Sequence, residues 1–163
     1  MKYFAYGSNM SFARLQQRCP SARFVDAFTL KGHQLKFHKN GQDTSAKCDA
    51  FETNNEFDLV YGALFDLDDT DKETLDRIEG LGRGYNQKTV SVENETLGKV
   101  DAITYYAIDI NENLLPFSWY LNHVIIGAKQ SELPSDYLAL IEIIESVEDS
   151  DKTRDAMQRE MYR

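Results

Sequence analysis

Cysteine is nearly absent: Cys19 and Cys48 are the only two in 163 residues, and they lack the C-x-x-C spacing of a zinc site or a thioredoxin-like centre. They read as free, reduced thiols. No window approaches the ~18 apolar residues that span a bilayer, and no basic segment, apolar stretch and small-residue cleavage site precede the first strand-like run. A cytoplasmic protein without a membrane partner is expected. Positive charge is also short, with 18 Lys and Arg against 27 Asp and Glu and a net charge of -9. Nucleic-acid surfaces draw on clustered Lys and Arg, so none is expected here. His33, His38 and His123 are scattered, and the odd spacing of the first two sets them on opposite faces of one strand. No metal site is expected. Internal repeats, low-complexity tracts and linkers are missing too.

What is present is an apolar content of 42%, enough for one domain with a core that needs no disulfide or metal staples. We expect that domain over residues 1–150, with 151–163 a charged tail or surface helix. The chain opens on an apolar, aromatic strand that breaks into Tyr6-Gly7-Ser8-Asn9-Met10. Gly7 permits close approach or a positive backbone angle, while Ser8 and Asn9 suit a turn that leaves amides facing an anion. This loop reads as a substrate cradle.

Further along, Ser11–Arg18 carries a short helical pattern stopped by Pro20. Residues 22–30 and 33–39 read as a hairpin turning on Lys31-Gly32, and 47–53 as another short strand. Residues 58–67 form the strongest apolar run, that of a central strand in which Gly62 marks close backbone packing. Thr70 to Glu73 has capping-box spacing, opening a helix with Leu75 and Ile78 on one face and Gly80 past its end. A second hairpin covers 87–92 and 99–108. A helix from Ser118 is expected to end at Gly127, and another begins at Pro134, its stripe formed by Tyr137, Leu138, Ile141 and Ile144. Trp119 reads as core, and the acidic run 145–151 as a solvated face. Many strands with antiparallel connections and a few short helices make the fold class α+β.

Three of these segments carry a resemblance. Tyr6-Gly7-Ser8-Asn9-Met10 after an N-terminal strand, Leu75-Asp76-Arg77-Ile78-Glu79-Gly80 with Tyr85 soon after, and Gly127-Ala128-Lys129 followed by Leu133-Pro134-Ser135-Asp136-Tyr137 occur in this order. Together they resemble the γ-glutamylcyclotransferase family, AIG2-like relatives included. The resemblance implies a small mixed, mainly antiparallel β-barrel whose opening loop binds a γ-glutamyl group. It also implies a single glutamate, mapping to Glu79, as general acid/base. In the family's reaction the substrate's α-amine attacks its own γ-carbonyl, giving 5-oxoproline and a free amine or peptide, without cofactor or external nucleophile.

The residue types suit that chemistry. Ring closure is intramolecular, so holding the chain folded and its amine unprotonated gives most of the gain. A carboxylate matches an ammonium poorly unless its charge is disfavoured. Glu79 sits at a helix end, where the negative pole of the backbone dipole opposes it, beside Ile78 and Leu81. Arg83, three residues beyond Gly80, would either recognise a substrate carboxylate or counter that effect. Backbone amides of Gly7, Ser8 and Asn9 are candidates for the oxyanion, and Tyr6, Met10, Tyr85 and Tyr137 for the pocket wall, the tyrosines offering hydroxyls. Ser8 lacks a nucleophile elbow and a marked partner. The expected partner is a small γ-glutamyl amide or γ-glutamyl amino acid. A non-catalytic binding module on the same fold, and a hydrolase using Glu79 to activate water, remain open alternatives.

Overall fold

The computed structural model describes residues 1–163. In chain order it contains β1 (Lys2–Ala5), a 3-10 turn (Ser8–Met10), α1 (Phe12–Arg18), β2 (Arg23–Lys31), β3 (His33–Asn40), β4 (Ala46–Glu52) and β5 (Leu59–Asp66). Then follow α2 (Asp69–Glu79), β6 (Tyr85–Asn94), β7 (Gly98–Ala107), α3 (Ser118–Gln130), α4 (Ser135–Glu142) and α5 (Lys152–Glu160). Five strands close a barrel in the order β1-β5-β2-β6-β7, with β3 and β4 apart as a two-stranded ribbon. All barrel neighbours are antiparallel except β7 and β1, which meet in parallel at Tyr3 and Ile103. The α+β class and the mixed barrel are as expected.

The apolar run at β5 is central, pairing β1 on one side and β2 on the other. Burial of Val60 and Leu64 with Phe4 and Phe28 fills the barrel, while Phe65, on the opposite face of β5, packs against Phe12 and Phe24. A methyl at Gly62 would meet the Ala5 carbonyl at 2.4 Å and the Phe4 ring at 2.7 Å. Glycine lets these two strands touch. The fully buried Leu75 anchors α2 to the barrel, a burial that contributes roughly 2 kcal/mol.

Four local expectations are corrected. β2 and β3 do not form a hairpin: β2 pairs β5 and β6, whereas β3 pairs only β4. At the joint Gly32 takes φ 76° and its amide donates to Asp58 O, so the chain swings out of the barrel instead of folding back. α2 starts from Asp68 without a side-chain cap, so the Thr70 box is not formed, and Ile78 is exposed. Gly127 lies within α3, not past its end; it is there because a methyl would meet Met10 C and Ser11 N at 2.5 Å. The acidic run is not uniformly solvated. Asp149 is 0% exposed and accepts from Trp119 Nε1 at 2.8 Å and from Arg154 Nε and Nη2 at 2.6 and 2.7 Å.

That ion pair fixes the start of α5, and the far end of α5 is fixed as well. Gln158 Oε1 accepts from Arg14 Nη1 at 2.7 Å, and Tyr162 Oη shares a hydrogen bond with Ser11 Oγ at 2.8 Å. The last helix therefore lies against the segment that follows the opening loop.

Candidate active site

The loop after β1 is shaped by what it touches. A methyl at Gly7 would stand 2.9 Å from Cys48 Cβ, so glycine is needed for close approach to β4. Its φ is -114°, and no positive backbone angle is involved. The 3-10 turn closes with Met10 N–H on Gly7 O and Ser11 N–H on Ser8 O, at 3.0 and 3.2 Å. The amides of Gly7, Ser8 and Asn9 take no part in those two bonds, as at the start of any helical turn.

Glu79 closes α2, whose Gly80 cap adopts the left-handed φ of 67°. This end of α2 meets the loop directly. Asn9 Nδ2 donates to Glu79 Oε1 at 3.0 Å, and Arg18 Nη1 reaches the same oxygen at 3.3 Å. Arg18 Nη1 also donates to Asn9 Oδ1 at 2.8 Å, and Asn9 Nδ2 to Tyr3 Oη at 3.1 Å. Three side chains from three elements thus brace one another. The cation on Glu79 is Arg18, not Arg83. Both contacts fall on Oε1, while Oε2 has no hydrogen-bond partner within the chain.

Beside Glu79 opens a cleft of ≈ 510 Å³, lined among others by Ser8, Arg14, Lys39, Tyr85 and Tyr120, within the size range of small-molecule sites. An inner recess adds Tyr3, Tyr6, Gly7, Asn9, Cys48 and Tyr105, and shares Ser8, Glu79, Tyr85 and Tyr120 with the cleft. The structure therefore brings together Tyr6, Gly7, Ser8, Asn9, Glu79 and Tyr85. Met10 and Tyr137 stay outside both linings: Met10 is fully buried, and the Tyr137 ring packs edge-on against Tyr61 at 4.9 Å.

Two of the tyrosines point their protons away from any ligand. Tyr6 Oη donates to Tyr105 O and Tyr85 Oη to Cys48 O, both at 2.6 Å. Tyr120 differs, its Oη accepting from the Cys48 amide at 2.9 Å. Burial pushes the phenols of Tyr6, Tyr85 and Tyr120 well above their usual range, so all three stay neutral.

Behind Ser8 lies Arg14, whose Nε donates to Ser8 Oγ at 3.3 Å. Burial, and after it the nearby Arg18, lowers this guanidinium to about 10. Arg14, Arg18, Lys39 and Tyr120 escaped the reading of the sequence. Arg14 and Arg18 carried a signal in retrospect: two arginines four apart on the helix that directly follows the loop share one face. No group of three or more His, Cys, Asp or Glu is arranged to hold a metal ion, and no helix is long and apolar enough to cross a membrane.

The fold and the site define an α+β barrel with a polar cleft of small-molecule size, opening where a glycine turn meets a glutamate. Comparison with known proteins is specific. The model of the AIG2-like family matches residues 59–141. Bovine γ-glutamylcyclotransferase is 30% identical over 149 residues, covering 88% of this chain and 78% of the relative, and human γ-glutamylcyclotransferase gives the same figures. A solved structure of a γ-glutamyl cyclotransferase superposes with a TM-score of 0.86 at 23% identity, covering 98% of each chain. The chain belongs to the γ-glutamylcyclotransferase family.

Proposed function

We propose that this chain is a γ-glutamyl cyclotransferase that needs no cofactor, with Glu79 as its general acid/base. The reading rests above all on the Asn9 Nδ2 to Glu79 Oε1 bond of 3.0 Å, which joins the glycine turn to the one carboxylate of the inner recess. In this reading the γ-glutamyl group lies between the turn and Glu79. Glu79 takes a proton from the substrate's α-ammonium, and the freed amine attacks the γ-carbonyl. A C–N bond forms within the five-membered ring, and the carbonyl electrons move to oxygen. Amides of Gly7, Ser8 and Asn9 receive that oxyanion. When it collapses, Glu79 gives the first proton to the leaving nitrogen as the original amide C–N bond breaks. It then takes the remaining extra proton from the ring nitrogen and hands it to the departing amine, which leaves as an ammonium. The products are 5-oxoproline and an amine.

Arg18 and Asn9 hold Oε1, which leaves Oε2 for the proton. Restricting the carboxylate in this way supplies orientation that a free side chain lacks. The catalytic domain spans residues 1–150, and 151–163 is a helix laid on it. The compartment we assign is the cytoplasm, and the substrate is a small γ-glutamyl amide or γ-glutamyl amino acid. Tyr6, Gly7, Ser8, Asn9 and Tyr85 form the substrate wall.

The test is a panel of γ-glutamyl amides with 5-oxoproline read by mass spectrometry. Wild-type protein is expected to form it, and Glu79→Gln to lose about 10²–10⁴-fold in rate while still binding substrate, the range for removing a general acid/base. Free glutamate in place of 5-oxoproline would make the enzyme a hydrolase. Wild-type rates in the variant would remove Glu79 from the mechanism.

A further inference from the structure

The chain carries nine more acidic than basic charges, yet its cleft is basic. Of 18 Lys and Arg, eleven pair with a carboxylate. Seven remain, and four of them, Arg14, Lys39, Arg77 and Arg83, line this one cleft. The other cations of the lining are already matched: Arg18 by Glu79, Lys47 by Asp43, and Arg154 by Asp149. Asp109, which accepts from Asn40 Nδ2 at 3.2 Å, is the one carboxylate of the lining without a cation.

Lys39 is the most telling of the four. It is only 7% exposed, and its ammonium makes no hydrogen bond and no ion pair. Its Nζ lies 4.9 Å from the Tyr85 ring centroid and is pressed so closely on Gly84 that a methyl there would meet it at 2.7 Å. Burial lowers its pKa, with Glu79 the first of the charges acting the other way. A buried ammonium without a partner costs stability unless something joins it.

A γ-glutamyl derivative of a neutral amino acid, with its amine deprotonated for attack, brings two carboxylates. Four unpaired cations less Asp109 leave room for three. Resting on the cyclotransferase reading, we infer that the outer cleft is a subsite for a leaving amine that is itself an acidic amino acid, its second carboxylate received by Lys39 together with Arg83. The γ-glutamyl carboxylate falls to the inner end, near Ser8 and Arg14. The substrate class is then a γ-glutamyl-linked diacid, of which γ-glutamylglutamate is the simplest. Lys39 is a specificity-determining residue and takes no part in proton transfer.

Three substrates test this: γ-glutamylglutamate, γ-glutamylalanine and a γ-glutamyl alkylamide. Wild-type kcat/KM is expected to favour the first over the second by at least about tenfold, the low end for a charge-assisted hydrogen bond. In Lys39→Met, which keeps an apolar stem of similar shape, that preference should fall to near parity, and Lys39→Arg should restore part of it. The same ligands titrated calorimetrically into Glu79→Gln report the subsite without turnover. If none of them yields 5-oxoproline, the cyclotransferase reading fails, and the titration still decides the subsite. Equal kcat/KM and equal affinity for the first two in wild-type and Glu79→Gln protein would overturn the inference. So would a Lys39→Met protein that keeps the full preference.

Discussion

Replacing Gly127 with alanine adds one methyl where α3 meets the 3-10 turn. That methyl would lie 2.5 Å from Met10 C, Met10 Cβ and Ser11 N. Carbon contacts relax near ~3.5–4.0 Å, so helix and turn must part by about 1 Å. Backbone cannot rotate out of the way as a long side chain does, and Met10 and Ser11 are fully buried. Overpacking of this kind costs ~1–3 kcal/mol, while alanine regains about 1 kcal/mol of helix propensity over glycine. Three contacts at 2.5 Å with buried backbone and Cβ put the cost in the upper part of that range, so the clash wins. We expect a net loss of up to about 2 kcal/mol, read as a lower urea midpoint at unchanged m-value. Function should suffer more. The displaced turn carries Ser8 and Asn9, and a shift of about 1 Å in a positioning element can cost ~100-fold in rate. Gly127→Ala is therefore expected to lower kcat/KM for 5-oxoproline formation about 10–100-fold at a temperature where the protein remains folded. A Gly127→Ala protein as stable and as active as wild type would refute the proposed contact, because propensity alone predicts a gain.

Two further outcomes follow from buried titratable groups. Burial, with Arg14 next in effect, lowers the His123 imidazole to about 3, whereas the unfolded chain takes up that proton near pH 6.5. Its contribution to stability is complete above about pH 6.5 and is lost as pH falls from there toward about 3, by up to a few kcal/mol. Urea midpoints at pH 7 and pH 4.5 should thus differ more for wild type than for His123→Gln; equal differences would contradict a neutral, buried imidazole. Burial also pushes the thiols of Cys48 and Cys19 up, to about 12 and about 11. Iodoacetamide at pH 8 should label neither in the native protein and both in denaturant, as counted by mass spectrometry. Native labelling at the rate of a free thiol would show that the two sulfurs are reachable.

Elements that announce themselves locally were legible in the sequence. β1 with its loop, the apolar run of β5, the β6–β7 hairpin and the α2 end at Gly80 all rest on patterns within about ten residues. The failures share a different cause. Gly32 gives the same turn signal whether a chain folds back or leaves the sheet, and only the bond from its amide to Asp58 O separates the two. Gly127 reads as a helix stop until its partner, the turn at Met10 and Ser11, is known. Asp149 lies within an acidic run, so composition assigned it to solvent, whereas Trp119, 30 residues earlier, holds it inside. At the candidate site, Glu79 and the Gly7–Asn9 turn stood out in the sequence because they sit in motifs. Arg14, Arg18 and Lys39 were missed because a cation on a polar helix face or strand end looks like ordinary surface until tertiary structure buries it.

The peptide unit at Cys48 sorts the two phenols that flank the recess. Its carbonyl accepts from Tyr85 and its amide donates to Tyr120, so the Tyr85 rotor is set and the Tyr120 proton is turned away from that amide. Tyr85 is left with lone pairs and no spare proton; Tyr120 keeps a proton to give. The recess is polarised before anything enters it, with an acceptor pole and a donor pole set on either side of one backbone amide. A ligand with the matching order of groups meets no reorganisation cost at this wall. One presented the other way round would set lone pair against lone pair at Tyr85, so the Cys48 peptide gives this wall a preferred direction.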